Sequence, residues 1–94
     1  MENYETVFIA RPDLKDEEIK NLIQNFVDLI ITNGEIEKTE ELGRKKLAYE
    51  VKGHKEGIYV VIYFKSKPEF ITELERVYKI TEAILKFIVV KVDE

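Results

Sequence analysis

A basic segment, Gly43-Arg44-Lys45-Lys46-Leu47-Ala48-Tyr49-Glu50-Val51, carries the clearest strand pattern in this chain. Successive side chains of a strand point to opposite faces, so the alternation predicts that Leu47, Tyr49 and Val51 share a core-facing row. The other face of the strand is then mostly charged, with Arg44, Lys46, Ala48, Glu50 and Lys52.

The segment leads through Gly53-His54-Lys55-Glu56-Gly57 into an apolar run from Ile58 to Phe64, which predicts two strands joined by a glycine-rich turn. Pairing through a turn over residues 53–57 would set Tyr49 beside Val60. The same register would set Leu47 beside Ile62, so the apolar faces of the two strands would match.

The N-terminal third of the chain predicts a strand and a helix. Tyr4 to Ala10 is rich in β-branched and aromatic residues and stops before Pro12, as a buried strand would. Apolar residues at helical spacing run from Ile19 to Ile31, with Asp13 or Asp16 as the expected N-cap. Asn33-Gly34 is expected to end this helix, with the glycine as its C-cap.

The remaining elements complete a βαββαβ order. The second strand is expected over residues 36–51, with Gly43 at a bulge or bend. Ser66 and Glu69 have the spacing of a capping box before a helical stripe from Phe70 to Tyr78. Leu85 to Val92 forms the last strand.

The element order predicts an α+β fold of the ferredoxin-like type. Both crossovers are expected to be right-handed, which places two helices on one face of a four-stranded antiparallel sheet. With 94 residues the chain is long enough for one core, so residues 1–94 are predicted to form a single domain.

Two helices can cover only one face of such a sheet, so the opposite face should be bare. The covered face should carry Thr6, Phe8, Leu47, Tyr49, Val60, Ile62, Phe64, Phe87 and Val89. The bare face should carry an apolar patch of Val7, Ile9, Tyr59, Val61, Tyr63, Ile88 and Val90, flanked by Arg44, Lys46 and Lys52. An apolar patch rimmed by charge is typical of a protein contact surface, although homodimerisation or cover by long side chains would also explain it.

Composition narrows the classes of function. The chain has no cysteine and one histidine, which excludes disulfides, thiolate chemistry and multi-histidine zinc sites. No apolar run approaches the length of a membrane span, so we expect a cytoplasmic protein without membrane contact. We expect no cofactor, no metal, no small-molecule substrate and no catalytic residue, because the neighbouring carboxylates lack a partner that would tune them.

Positive charge is local in a chain whose net charge is −4. Five Lys or Arg residues stand against one carboxylate between Arg44 and Lys55. Such a cluster suits phosphate contacts, but a solvated edge strand with protective lysines has the same pattern. If RNA binds here, the expected contacts are Arg44, Lys45, Lys46, Lys52, His54 and Lys55, with Lys86 and Lys91 from the last strand.

The basic segment also resembles a known family. Together with Tyr4-Glu5-Thr6-Val7-Phe8-Ile9, Arg11-Pro12-Asp13-Leu14 and the closing Val89-Val90-Lys91, it is similar to the bacterial small ribosomal subunit protein S-six family over nearly the whole chain. The resemblance implies a structural ribosomal protein that binds small-subunit (16S) ribosomal RNA together with ribosomal protein S eighteen during platform assembly. It also implies a cytoplasmic location, on the ribosome.

Three other functions fit parts of the pattern. Tyr59 and Tyr63 lie where RNA-recognition motifs stack bases on the same topology, but the basic-Gly-aromatic opening is missing. Arg11 beside a helix start suggests an acylphosphatase-like phosphate site, which Pro12 and the acidic Asp13 oppose. A ferredoxin-like regulatory or homo-oligomerisation domain using the bare face is the main competitor.

Overall fold

Four antiparallel strands form one sheet, in the order β2-β3-β1-β4, in a computed structural model that describes residues 1–92. Two helices lie between them in the chain and cover one face, which confirms the predicted βαββαβ fold. The elements are β1 (Glu2–Ala10), α1 (Asp16–Asn33), β2 (Gly34–Val51), β3 (His54–Ser66), α2 (Glu69–Ile80) and β4 (Ile84–Lys91).

The core lies between the helices and the alternate residues of the two central strands, β1 and β3. Phe8 packs against the rings of Phe26 and Tyr78, with centroids 5.3 and 5.7 Å away, and those two rings stack on each other at 4.5 Å. Thr6 is buried beside them, and its hydroxyl donates to the carbonyl of Ile88 at 2.9 Å. The Tyr78 hydroxyl, 3.0 Å from Thr6 Oγ1, therefore acts as the donor in that pair, and every buried hydroxyl of the cluster has a partner.

Helix α1 buries the predicted apolar stripe, but its start differs from the prediction. The N-cap is Lys15, whose backbone N–H is bound by the Glu18 carboxylate at 2.8 Å. Neither Asp13 nor Asp16 caps the helix, since Asp16 already lies in the first turn. The carboxylate that reaches back from Glu18 satisfies the Lys15 donor, and three acidic residues in the first turn complement the helix dipole.

Helix α2 buries Phe70, Leu74 and Tyr78, as the stripe predicts, but lacks the predicted capping box. Ser66 is the last residue of β3, fully buried, and its hydroxyl donates to the carbonyl of Lys67. A residue held in the sheet in this way cannot turn its side chain toward the helix start. Pro68 occupies the N-cap position instead.

Gly34 ends α1 as predicted, but not in the left-handed conformation usual for a glycine C-cap. Its backbone is extended, and it begins β2 by pairing with Ser66. A Cβ at this position would overlap the carbonyl oxygen of Lys65, so glycine is needed for close approach of the two backbones.

The register between β2 and β3 also differs from the prediction. Val60 pairs with Glu41 and Ile62 pairs with Thr39, not with Tyr49 and Leu47. Pairing extends, with bulges, from Gly34 to Lys46, and the first half of β2 therefore lies along the edge of β3. Leu47 and Tyr49 are consequently absent from the core under the helices.

Candidate nucleic-acid and protein interface

The β2–β3 hairpin turns through two residues, Lys52 and Gly53. Both have positive φ, +50° and +83°, which is the backbone of the primed turns that suit the right-handed twist of hairpins. The predicted five-residue turn over residues 53–57 is therefore wrong, because His54 to Gly57 already belong to β3.

Below the turn, β2 leaves the ladder in a wide bulge. Lys46 pairs with Glu56 and Val51 pairs with His54, so the four residues Leu47–Glu50 stand opposite Lys55 alone. We call these four residues the arch. Bulges of this kind redirect side chains and interrupt pairing, often beside functional sites. Here the bulge lifts the arch out of the ladder, directly after the basic residues Arg44, Lys45 and Lys46.

A second bulge, at Gly43, reverses the predicted faces of the basic segment. The register shifts between Glu41 and Gly43, where φ is +81°. Arg44 is then paired with Ile58 on the helix-covered side, while Lys45 is paired with Gly57 and lies 5.9 Å from the Tyr59 ring on the bare side. One extra residue exchanges the two faces of a strand, so the predicted flanking of the bare face by Arg44 is wrong.

Leu47 and Tyr49 follow the same reversal and turn toward the bare side. A Cβ on Gly57 would overlap Ile9 Cγ2 and lie 3.7 Å from Leu47 Cδ2, which places Leu47 beside the bare-face residue Ile9. Lys46 pairs with Glu56 on the helix-covered side, so the predicted flanking of the bare face by Lys46 is wrong as well. Both predictions that put Leu47 and Tyr49 in the core are therefore wrong.

Tyr49 stands at the centre of the arch and is 63% exposed. The Lys86 ammonium donates to its hydroxyl at 2.9 Å, which ties the arch to the start of β4. This hydrogen bond lowers the pKa of Tyr49 and raises the pKa of Lys86 above their ordinary values. Lys86, one of the predicted RNA contacts, thus joins the hairpin in space.

Between the arch and the first residues of β3 lies an open groove of about 700 Å³. We call it the tip groove. Its lining combines cations, carboxylates and one exposed aromatic ring: Pro12, Lys46, Leu47, Tyr49, Glu50, Gly53, His54, Lys55 and Glu56.

Two of the predicted RNA contacts also hold the hairpin in place. Arg44 Nη2 donates to the carbonyl of Pro12 at 2.9 Å, and its Nη1 lies 3.9 Å from the Glu56 carboxylate. Lys52 Nζ donates to the carbonyl of Ile84 at 3.2 Å. Lys46 and Lys55 are exposed and have no ion pair within residues 1–92.

Lys91 lies apart from the other predicted RNA contacts. It pairs with Tyr4, five residues along β4 from Lys86, which corresponds to about 17 Å along a strand. Its ammonium is 2.7 Å from the Glu2 carboxylate, and this contact lowers the pKa of Glu2. The structure therefore groups Lys86, but not Lys91, with the hairpin.

Within residues 1–92 no helix lies over the bare face, which carries the predicted apolar patch. Ile88 and Val90 are 50% and 48% exposed, while Ile9 and Val61 are only 7% and 6% exposed and form its floor. The other three members of the patch are half-buried: Val7, Tyr59 and Tyr63. A shallow cavity of about 260 Å³ lies between Ile9, Tyr59, Lys86 and Ile88.

The two ends of the bare face differ in charge. Partial desolvation, followed by the carboxylates of Glu5 and Glu40, raises the pKa of Tyr63 at one end. Lys45 and Lys86 lie at the other end, beside Tyr59 and Tyr49. The apolar patch therefore has two lysines at the end near the hairpin, whereas Glu5, Glu40 and Lys38 surround Tyr63 at its other end.

No group of His, Asp and Glu side chains in residues 1–92 is arranged to hold a metal ion. None of the helices in this range has the length and apolar character needed to cross a bilayer. The hairpin and the bare sheet face together are the candidate functional surface. Sequence reasoning did not identify Tyr49 as part of it, although the glycine at position 43, a bulge signal, indicated that the face of each later residue could reverse.

Comparison with known proteins gives concordant results. The model of the Ribosomal protein S6 family matches residues 3–91. Small ribosomal subunit protein bS6 of Helicobacter acinonychis is 50% identical over 94 residues, which cover 99% of this chain and 66% of the relative. The bS6 protein of Caldanaerobacter subterraneus subsp. tengcongensis is 43% identical, with 100% of both chains covered.

The fold comparison agrees. The crystal structure of 30S ribosomal protein S6 from Thermotoga maritima superposes with a TM-score of 0.92 and 35% sequence identity. The match covers 97% of this chain and 87% of the other. This chain spans slightly less than two thirds of the length of the Helicobacter acinonychis relative.

Proposed function

Because this chain belongs to the ribosomal protein S6 family of the small ribosomal subunit, we propose that it binds 16S ribosomal RNA together with ribosomal protein S eighteen during platform assembly. The family comprises structural ribosomal proteins and is not known to be enzymatic, in agreement with the prediction that the chain is not an enzyme. Its members are cytoplasmic components of the ribosome, as predicted.

The observation that carries the RNA part of this proposal is the exposed basic hairpin. Lys45, Lys46 and Lys55 project into solvent around the arch, and Lys86 joins them from β4. Cations on flexible side chains suit phosphates, which need positive charge but no fixed geometry. Arg44 and Lys52 support the same surface by bracing the hairpin against Pro12 and Ile84, and His54 lines the tip groove.

The bare face supports the protein part. Ile88 and Val90 are exposed above the buried side chains of Ile9 and Val61, with tyrosines beside them. This combination of an apolar centre and a polar rim is typical of protein interfaces. The basic end of this face adjoins the hairpin, so a protein docked there would also be close to RNA held by the lysines of the hairpin.

Salt-dependent binding tests the RNA contact. Measured with a 16S central-domain fragment and ribosomal protein S eighteen, affinity should fall linearly with salt on logarithmic axes, with a slope of roughly −3 to −4 if four phosphates are contacted. The double variant Lys46→Gln/Lys55→Gln should lose about 0.7–0.9 of slope per contact. Lys79→Gln, an exposed cation on α2, is the matched control and should leave the slope unchanged. A salt-independent affinity would refute phosphate contact.

A matched isoleucine pair tests the protein contact. Ile88→Asp should reduce affinity for ribosomal protein S eighteen at least about 30-fold, the loss expected for a central interface residue. Ile80→Asp, at a 68% exposed position on α2, should not change it. Equal affinity of both variants for the partner would show that the partner binds elsewhere.

The same apolar patch also favours a second candidate, self-association through the bare face. Sedimentation equilibrium of the chain alone distinguishes the two. A stable homodimer that Ile88→Asp dissociates, and that does not exchange with ribosomal protein S eighteen, would favour the oligomerisation function.

A further inference from the structure

Tyr49 occupies an unusual position for an aromatic side chain. It is 63% exposed and lies in the part of β2 that leaves the ladder with β3. The arch raises it, and Lys86 fixes its hydroxyl. A large ring that is mostly left in water resembles an unfilled contact, because its apolar area could still be buried by a ligand.

The Lys86 ammonium does not lie over the centre of the Tyr49 ring. Lys86 Nζ is 2.9 Å from the hydroxyl but 5.1 Å from the ring centroid, so the ammonium sits beyond the hydroxyl end. It therefore positions the ring without covering it. Because the ring lines the tip groove, a planar group entering that groove could stack on Tyr49.

The size and polarity of the tip groove suit a nucleotide. Its volume of about 700 Å³ lies within the range of small-molecule sites, roughly 300–1,000 Å³. Lys46 and Lys55 supply cations for a phosphate, while the Glu50 carboxylate supplies an acceptor for a base amino group. The other carboxylate, Glu56, is already 3.9 Å from Arg44. A bare anion would use the cations but not the ring or Glu50.

We propose that the tip groove binds one unpaired nucleotide of the RNA, with its base stacked on Tyr49 and its phosphate near Lys46 and Lys55. This inference rests on the proposed RNA-binding function and adds a base contact to it. Stacking on an aromatic ring tolerates any base, so the site would select an unstacked nucleotide more than a sequence.

Two substitutions separate stacking from charge. With the 16S central-domain fragment and ribosomal protein S eighteen, Tyr49→Ala should weaken RNA binding about 5- to 150-fold, the range for one stacked base. Its logarithmic salt slope should equal that of the wild type, because no phosphate contact is lost. Tyr49→Phe keeps the ring but loses the Lys86 hydrogen bond, and it should stay close to wild-type affinity.

Other outcomes overturn the inference in different ways. If Tyr49→Ala binds RNA as tightly as the wild type, no base stacks on the ring. If it loses affinity for ribosomal protein S eighteen in the absence of RNA, the ring contacts that protein instead. If the wild-type chain itself shows no salt-dependent RNA binding, the proposed function fails as well, whereas a normal salt slope with an unaffected Tyr49→Ala variant refutes only the stacked nucleotide.

Discussion

The two faces of one sheet differ sharply in this protein. Under the helices, Phe8, Ile62 and Leu74 are fully buried and the aromatic rings pack in contact. On the opposite face, Ile88 and Val90 keep about half of their surface in water. The same strands supply both faces, so the difference comes from what lies over them and not from their composition.

The bare face is nevertheless partly closed by its own residues. Ile9 and Val61 are less than a tenth exposed without a helix above them. They are absent from the cluster under the helices, so side chains on their own face bury them. This self-cover concentrates the apolar exposure of the bare face on the β4 residues Ile88 and Val90.

The largest expected effect compares two isoleucines, one on each face. Ile62→Ala should lower the free energy of unfolding by about 2–5 kcal/mol, because it opens a cavity in a closed core. Ile88→Ala should cost less than about 1 kcal/mol, since half of that side chain is already in water. Urea denaturation of both variants measures the difference. Equal losses would mean that the two faces are packed alike.

A tyrosine pair sharpens the comparison. Tyr78→Phe removes the buried donor to Thr6, which should cost about 0.5–1.5 kcal/mol. Tyr63→Phe, on the bare face, should cost less because water can replace the contact with Glu5. The free energy of unfolding of both variants is measured by urea denaturation at pH 7. A larger loss for Tyr63→Phe would contradict the conclusion that the helix-covered face is the more deeply buried one.

The pH dependence of Tyr78 has a defined sign. Burial raises the pKa of Tyr78 above its ordinary value, so the folded chain keeps a proton that the unfolded chain releases. The stabilisation is complete below about pH 10, the unfolded value, and is lost as the pH rises further. Unfolding free energy should therefore fall above pH 10 more steeply for the wild type than for Tyr78→Phe. Parallel curves would show that the hydroxyl is not closed off from water.

The smallest expected effect lies at the far end of the sheet, where Lys91 contacts Glu2. The hydrogen bond from Lys91 is the first cause of the lowered pKa of Glu2, and its contribution is present at neutral pH and lost on acidification. NMR titration of Lys91→Gln should show the Glu2 pKa rising toward its ordinary value. The denaturation midpoint should not change measurably, because the Glu2–Lys91 pair is exposed. A clear shift of the midpoint would indicate that the pair is shielded from water.

Sequence reasoning predicted the fold and the bare face well because both follow from periodicity. The helical stripe that ends at Tyr78 and the two-sided apolar strand of residues 4–10 are local patterns, and one right-handed arrangement satisfies both. Sequence reasoning failed for Leu47 and Tyr49, because the face on which a strand residue lies depends on every bulge before it. The caps failed for a similar reason: Ser66 was already committed to the sheet.

Local patterning in the amino-acid sequence determined the order of elements, the apolar patch and the basic charge of the hairpin, because each depends on neighbours a few residues away. Tertiary structure alone decided that Tyr49 faces solvent, that Lys86 joins it and that Lys91 does not. Those outcomes depend on strand register, and register is set by bulges and backbone contacts between segments far apart in the chain.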